Sequence, residues 1–583
     1  MDRNTIIAII LSVIVITVGM TVQTVFFPME NTITQTETTT EEVVPVENIS
    51  SIITEPVISK NQVTDTSPFT VETDALSVTF DPYGASVSSI KMKKHLDTSK
   101  EPVEILLKDG NRGNAFLMYQ SNDTSKPITE AFSHSIEERD DLILVIFSQV
   151  FEQSGREYEI IKKYAFAKDE EYLFQIAVTL NSLDGNALPF TVYTIGVEPQ
   201  VGPEFESLNG NYDYRRMYYK LSDKNSKKNV SFKNGVATVN ESVSWVALAS
   251  KYFTIMGIPA SEADYSVKFT QNTEEKQENS FYLTRNGISS SSVTDLYSFY
   301  CGPKLTSYLN KYDIANDNTF KLTNLHLAKV MDSSTWLGWL ETILKWVLTL
   351  IYKVIPNYGV AIIILTLLIK LMLQPISKKG MESTAKMSAL NPKLEELKAK
   401  YADDPNALNA AMAKLYKEEG INPMGSCLPM LIQFPVFIAL YGLLNNHFEL
   451  RGAMFIPGWI PDLSIPDTVF TLGFNIPLIG NQIHLLPIIY TVSMIFSMKI
   501  TQSGATDSSQ AGMMNFMTYG MPIIFFFVLY NAPSGLLVYW TVTNAISIIQ
   551  QIYVNAKKKK QFEEEMITKN ESKNVKFKSK KRK

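Results

Sequence analysis

From residue 68 to about residue 304 the chain alternates between apolar and polar positions. Stretches such as "FTVETDALSVTF", "EYEIIKKYAFAKDEEYLFQIAVTL" and "LPFTVYTIGVEP" carry β-branched or aromatic residues at every second position, between turns of Gly, Asp, Asn and Pro. A period of two is that of a half-buried strand. A dozen or more such segments predict a large antiparallel sandwich, assigned to 67–330. After residue 334 the alternation gives way to long apolar runs at 358–376, 427–444, 485–500, 517–531 and 534–553. The first 27 residues form another, with no charge between Arg3 and Glu30. Runs approaching ~20 apolar residues cross a ~30 Å hydrocarbon layer as helices. The expected fold is therefore a polytopic α-helical membrane protein of six spans with a large all-β domain outside the bilayer.

The segments between the runs have their own patterns. Residues 28–66, rich in Thr, Glu, Val and Pro, read as a disordered tether. Over 331–356, Trp336, Trp339 and Trp346 crowd one helix whose polar face carries Glu341 and Lys345. A helix with an apolar face, a charged face and several tryptophans lies in the membrane interface. A further span is the alternative, disfavoured by the two central charges and by Pro356. Residues 377–426 predict a helical hairpin: Leu394, Leu397 and Tyr401 recur at helical spacing, as do Leu408, Met412, Leu415 and Tyr416, with a turn at Asp403-Asp404-Pro405. Its apolar stripe is read first as the seam between its arms and second as a partner-binding face.

Charge sets the orientation. The net charge is only −5 over 583 residues, but segment 377–426 holds eight lysines and 554–583 twelve basic residues, whereas 445–484 has Arg451 alone. Basic loops stay inside, so both termini and the hairpin are expected in the cytoplasm and 28–356 outside. Six spans alternate consistently with that assignment. No small-residue cleavage motif follows the first apolar run, so it is read as an uncleaved anchor. Cys301 and Cys427 then fall on opposite sides of the membrane, and the five histidines have no metal-ligand spacing. No phosphate-binding loop, nucleophile elbow or carboxylate pair is present, so no catalytic residue, cofactor or metal is expected. The β domain reads as a scaffold or docking domain, with a carbohydrate or peptide cleft as the alternative.

Polar residues inside the spans are the candidate chemistry. A charge near the bilayer centre costs about 2.5–3.5 kcal/mol even on the lenient insertion scale, yet Lys370 stands in "GVAIIILTLLIKLMLQP". Thr366, Lys370 and Gln374 share a helix face. Gln433 sits beside Pro435 in the next run, and the last run carries Tyr539, Thr543, Asn544, Ser547, Gln550 and Gln551. Two readings stay open. Lys370, about 10 Å from the cytoplasmic end of its span, could snorkel while the other groups join helices by hydrogen bonds. Alternatively the groups line a hydrated pocket open to the cytoplasm, which lowers the barrier to carrying a hydrophilic, acidic flank of another polypeptide into the bilayer.

Residues 357–553 resemble the YidC-type membrane-protein insertases, relatives of the mitochondrial and chloroplast oxidase-assembly insertases. The resemblance is carried by "NYGVAIIILTLLIK", "QPISKKGMESTAKMSALNPKLEELKAKY", "LYKEEGINPMGSCLPMLIQFPVFIALY" and "APSGLLVYWTVTN"; the outer domain matches more loosely through "WVALASKYFTIMGIP" and "CGPK". It implies a five-helix insertase core, a periplasmic β-supersandwich as in the Gram-negative form, and a bacterial inner-membrane location. It also implies a hydrophilic groove open to cytoplasm and lipid, with a positive charge that is typically arginine and is here Lys370. That departure keeps the charge and loses the bidentate fork. Thr366 and Gln433 fall on groove-lining positions, with Thr543 and Ser547 on the same stripe. Tyr539 and Trp540 match aromatics near the path of cargo helices. Implied partners are nascent membrane proteins and the Sec translocon. The basic tail suits ribosomes or anionic lipid rather than a specific nucleic acid. A secondary transporter using Lys370 as counter-ion and a glycan-active envelope protein are the rival classes. The first calls for inverted repeats, the second for an acid/base pair, and neither is visible.

Overall fold

The computed structural model describes residues 58–59, 63–97, 100–108, 113–203, 214–259, 265–272, 279–331, 337–401, 404–419, 428–477, 479–502 and 515–580. The expected anchor over 1–27, most of the expected tether, Trp336, Asp403 and the hairpin's end with Cys427 (420–427) lie outside them. The tether's one described strand, Ile58–Ser59, pairs with Phe151 and Glu152.

The alternating region forms two antiparallel sheets of ten and nine strands packed face to face. The larger sheet is centred on Leu142–Gln153, Arg156–Ala167, Leu173–Ser182 and Ser292–Pro303. The smaller runs through Tyr265–Gln271, Asn279–Arg285, Tyr193–Val197, Ala115–Tyr119 and Ser86–Leu96. Alternation explains the core. On Arg156–Ala167, Tyr158, Ile160, Tyr164 and Phe166 point inward against rings from both sheets, among them Phe80, Phe147 and Phe174. Ser154 and Gly155 close the hairpin between the first two of these strands with φ of 54° and 72°. Two positive φ values define the turn whose twist matches its strands, and glycine adopts one of them without strain.

Lys162 shares the inward row. It is completely buried, and its ammonium donates to the carbonyls of Ala85 (2.7 Å), Phe116 (2.6 Å) and Gly84 (3.4 Å) on the opposing sheet. Gly84, Ala85 and Phe116 all have positive φ, so the lysine ties down backbone that sidechain sterics disfavour. Burial lowers its pKa to about 7.

The apolar region is helical. Helices α1 (Gly338–Val354), α2 (Tyr358–Ala389), α3 (Asn391–Lys400), α4 (Pro405–Glu418), α5 (Leu428–Asn446) and α6 (Leu485–Gln502) are followed by a π-helical turn, Phe516–Gly520. Then come α7 (Met521–Leu529) and α8 (Ser534–Lys580). Helix α2 passes Pro375 without breaking. Helix α8 continues well beyond residue 553, where its apolar run ends; no proline interrupts it. Asp404 caps α4, accepting from the amides of Asn406 and Ala407 at 3.0 Å. Among the described residues, one stretch, Tyr358–Pro375, is long and apolar enough to cross a membrane on length and composition; Leu485–Ile500 and Thr518–Leu529 are apolar but shorter.

The helices share a second apolar core, built from Ile362, Leu365, Leu440, Leu443, Leu537 and their neighbours. The two cores meet at Phe448, just past α5. Its ring packs edge-on against His95 (5.2 Å), Phe253 (5.5 Å) and Tyr252 (5.8 Å) of the β domain. The guanidinium of Arg451 lies over Phe253 at 5.1 Å. The one cation of the 445–484 loop is thus engaged with the β domain.

Candidate functional site

Helical periodicity places Lys370 inside the bundle. Ala361, Ile362, Leu365, Thr366, Ile369 and Lys370 form the buried face of α2, while Leu367, Leu368, Leu371 and Met372 are bare. Lys370 is 8% exposed. Its ammonium donates to Ser547 Oγ on α8 at 2.8 Å and to Gln433 Oε1 on α5 at 3.4 Å. Three helices thus converge on one charge, and both acceptors are neutral side-chain oxygens. Ser547 in turn donates to the Thr543 carbonyl at 2.9 Å, which leaves its oxygen free to receive the lysine.

The other expected residues take different positions around this point. Thr366 is buried one turn away, but its hydroxyl donates to the Ile362 carbonyl of its own helix at 2.7 Å. Gln374 is exposed. Tyr539 is buried and faces Thr543 and Gln433. Thr543 and Gln550 lie on the stripe of Ser547; the Thr543 hydroxyl is within hydrogen-bonding reach of Tyr539, and the buried Oε1 of Gln550 has no partner among the described residues. Trp540 belongs to an aromatic wall: it stacks on Phe437 at 5.1 Å and 8°, lies near-parallel to Tyr441 at 6.5 Å, and meets Tyr490 at 6.0 Å. The arrangement is a cation with spare hydrogen-bonding capacity on one side of α8 and an apolar aromatic surface beside it. It can hydrate or bind polar polypeptide next to an apolar segment.

Two features lie outside what the sequence suggested. Asn544 donates to Ser493 Oγ of α6 at 2.8 Å, tying α6 to α8; a serine inside the run "YTVSMIF" was the available signal. At the other end of α5, His447 pairs with Glu449, and Lys345 of α1 lies 4.0 Å from the same carboxylate. Burial pushes the Glu449 carboxyl up, but the His447 hydrogen bond and the charges of His447 and Lys345 outweigh it and hold it at about 2. These residues are about a hundred positions apart, and no motif links them. Among the described residues, no group of His, Cys, Asp and Glu could hold a metal, and Cys301 is a buried free thiol.

Fold and site together define a helical bundle with a polar, cation-bearing interior and an appended β-sandwich. Residues 350–561 match the family model described as the 60Kd inner membrane protein, and residues 68–347 match the YidC periplasmic domain. The chain is 36% identical to the membrane protein insertase YidC of Treponema denticola, over 96% of this chain and 100% of that one. It is 32% identical to the protein of the same name from Treponema pallidum, over 83% and 84%. A crystal structure of an active YidC insertase aligns over 94% of this chain and 99% of that one, at 18% identity and a TM-score of 0.35. The chain belongs to the YidC family of membrane-protein insertases.

Proposed function

We propose that this chain inserts nascent membrane proteins into the bacterial inner membrane, and that the Lys370–Gln433–Ser547 cluster is the polar lining of its insertion groove. It is a non-enzymatic insertase. The observation that carries the reading is a buried ammonium bonded to two neutral side chains, Gln433 and Ser547, the latter on the stripe of Gln550, whose buried Oε1 has no partner among the described residues. A structural polar cluster satisfies its members; this one has capacity left for water or for a guest peptide.

The energetics suit that task. An apolar cargo segment prefers lipid to water, so it supplies the driving force. The barrier is its hydrophilic flank, whose unsatisfied peptide groups cost several kcal/mol each in hydrocarbon. A polar stripe reaching partway into the bilayer shortens the dry path, and its cation favours acidic flanks. The Trp540–Phe437 wall borders the stripe and offers the cargo helix an apolar surface.

Around this groove we assign six spans, with both termini in the cytoplasm and residues 28–356 in the periplasm. The anchor is 1–27, the linker 28–66, the β-supersandwich 67–330 and the insertase core 357–553. Residues 331–356 lie in the outer interface: Trp339 and Trp346 are each 65% exposed, on a helix whose other side packs into the core through Leu344 and Leu348. The hairpin 377–426 receives cargo, and the basic tail 554–583 touches ribosomes or anionic lipid. The Sec translocon is the expected co-worker.

Photo-crosslinking with a stalled single-span cargo tests the groove. Probes at Gln433 and Ser547 are expected to capture the cargo, and probes at the bare positions Leu371 and Met372 are not. Capture confined to Leu371 and Met372 would move the path to the other face of α2.

A further inference from the structure

Between Asp467 and α6 the chain forms a two-stranded ribbon, Thr468–Ile476 paired with Gly480–His484, which belongs to neither sheet of the sandwich. Both faces of its first strand are bare: Val469, Phe470 and Phe474 are exposed, and Leu472 and Ile476 are only partly covered. An isolated two-stranded hairpin is marginal in water, and a projecting strand of this composition would be an aggregation hazard there. Something other than water covers it.

Three observations say what. The base of the ribbon is pinned to the helix ends. The Asp467 carboxylate accepts from the first amides of α6, Leu485 at 3.0 Å and Leu486 at 2.8 Å, and from the Trp459 indole at 2.9 Å. At the other strand's end, the Tyr530 hydroxyl, just past α7, donates to the Gln482 carbonyl at 2.9 Å and accepts from the His484 amide at 3.2 Å. The ribbon therefore leaves the bundle at the level where α6 begins and α7 ends. Secondly, no Asp, Glu, Lys or Arg occurs between Asp467 and Lys499, so ribbon and span form one uncharged stretch. Thirdly, α6 continues with a bare apolar stripe of Ile488, Val492 and Phe496, four residues apart on one helix face.

We propose that the ribbon 468–484 is a membrane-surface anchor, with Phe470 and Phe474 seated at the boundary between headgroups and acyl chains of the outer leaflet. The proposal rests on the assignment of α6 as a span. Aromatic rings are favoured at that depth. Among the described residues no third strand pairs with the ribbon, so the backbone groups along its edges exclude it from the hydrocarbon centre, where nothing would satisfy them, and the hydrated headgroup layer supplies partners. Together with the exposed Trp339 and Trp346 of α1, it gives the core a second outer-leaflet contact, on the side of α6. The occupant is lipid rather than protein because the surface is uncharged and runs directly into the bare apolar stripe of α6.

The test uses the full chain in proteoliposomes, with an environment-sensitive fluorescent amino acid placed at Phe470, Phe474, Val492 or Leu183; the last is an exposed site on the β domain. Quenchers are phospholipids spin-labelled near the headgroup, phospholipids spin-labelled at mid-chain to reach Val492, about 10 Å farther along α6, and aqueous iodide. Labels at 470 and 474 are expected to be quenched about twofold by the headgroup probe, as rings seated ~5–10 Å deep would be, and to be shielded from iodide relative to Leu183. Iodide access at 470 and 474 equal to that at Leu183 overturns the proposal. Shielding from every quencher overturns it as well, because a protein would then be the cover. Lipid quenching at Val492 without quenching at 470 and 474 sinks the anchor alone, whereas its loss at Val492 sinks the spanning assignment and the anchor with it.

Discussion

Lys162 and Lys370 are both buried, and their partners separate a structural cation from a working one. Lys162 gives its three hydrogens to three backbone carbonyls, acceptors that the fold holds still. Lys370 has two side-chain acceptors that can rotate away, and Gln550 on the same stripe has a buried oxygen with no partner among the described residues. Only the second can exchange partners with a guest. Lys162 makes a pH prediction. Its pKa is about 7 in the folded chain against about 10.4 when unfolded. Between those values the unfolded chain holds a proton the folded chain has released, so this group makes stability rise with pH from about 7 to 10.5. In Lys162→Met the carbonyls of Gly84, Ala85 and Phe116 lose their donor at about 1–3 kcal/mol per buried group left unsatisfied. Thermal unfolding of the β domain within the full chain should occur at lower temperature in the variant, with that rise over pH 7–10 missing. An unchanged slope would place the titrating group elsewhere. Strand parity already put Lys162 in the row of Tyr158, Ile160 and Tyr164, so its burial was legible in the sequence; its carbonyl partners, more than forty residues away, were not.

At the scale of elements, periodicity identified what depends on local sequence. The period of two in "EYEIIKKYAFA" is the inward row of Arg156–Ala167, and the Trp-rich segment is α1. Spacing on α8 put Thr543, Ser547 and Gln550 on one stripe, which meets α2 through Ser547. The sequence was less informative where a distant group decides. Thr366 shares a face with Lys370 yet bonds to its own helix, because a threonine hydroxyl reaches the carbonyl four residues back. The ribbon 468–484 was not foreseen, since its alternation is weak and its partner is in another medium. The capping of α6 by Asp467 is likewise non-local, from a carboxylate 18 residues upstream of Leu485. Removing it in Asp467→Ala should cost about 0.5–2 kcal/mol of helix stability. Faster amide hydrogen exchange at Leu485 and Leu486, with the α8 amides unchanged, is the expected sign. Unchanged exchange at those two amides would mean that the bundle, rather than the cap, holds the first turn.

For the whole molecule, the β domain and the helical core are joined through Phe448, whose ring is gripped by His95, Tyr252 and Phe253. The neighbouring His447–Glu449–Lys345 group fixes the same corner to α1. The periplasmic domain therefore holds the outer end of α5, the helix whose inner half brings Gln433 to Lys370. On the proposed reading of the Lys370 cluster, the domain steadies one wall of the groove from outside. The central claim, that the buried cation is the groove's working charge, is tested by reconstitution. Wild type, Lys370→Arg and Lys370→Ala are placed in liposomes with a one-span cargo carrying an acidic flank, and protease protection of the cargo is scored. The apolar core that joins the three helices α2, α5 and α8, through Ile362, Leu365, Leu440 and Leu537, does not include the lysine. The account predicts that Lys370→Arg retains insertion and that Lys370→Ala loses it by roughly tenfold, the equivalent of ~1.4 kcal/mol in the barrier. Insertion by Lys370→Ala at the wild-type rate would contradict it.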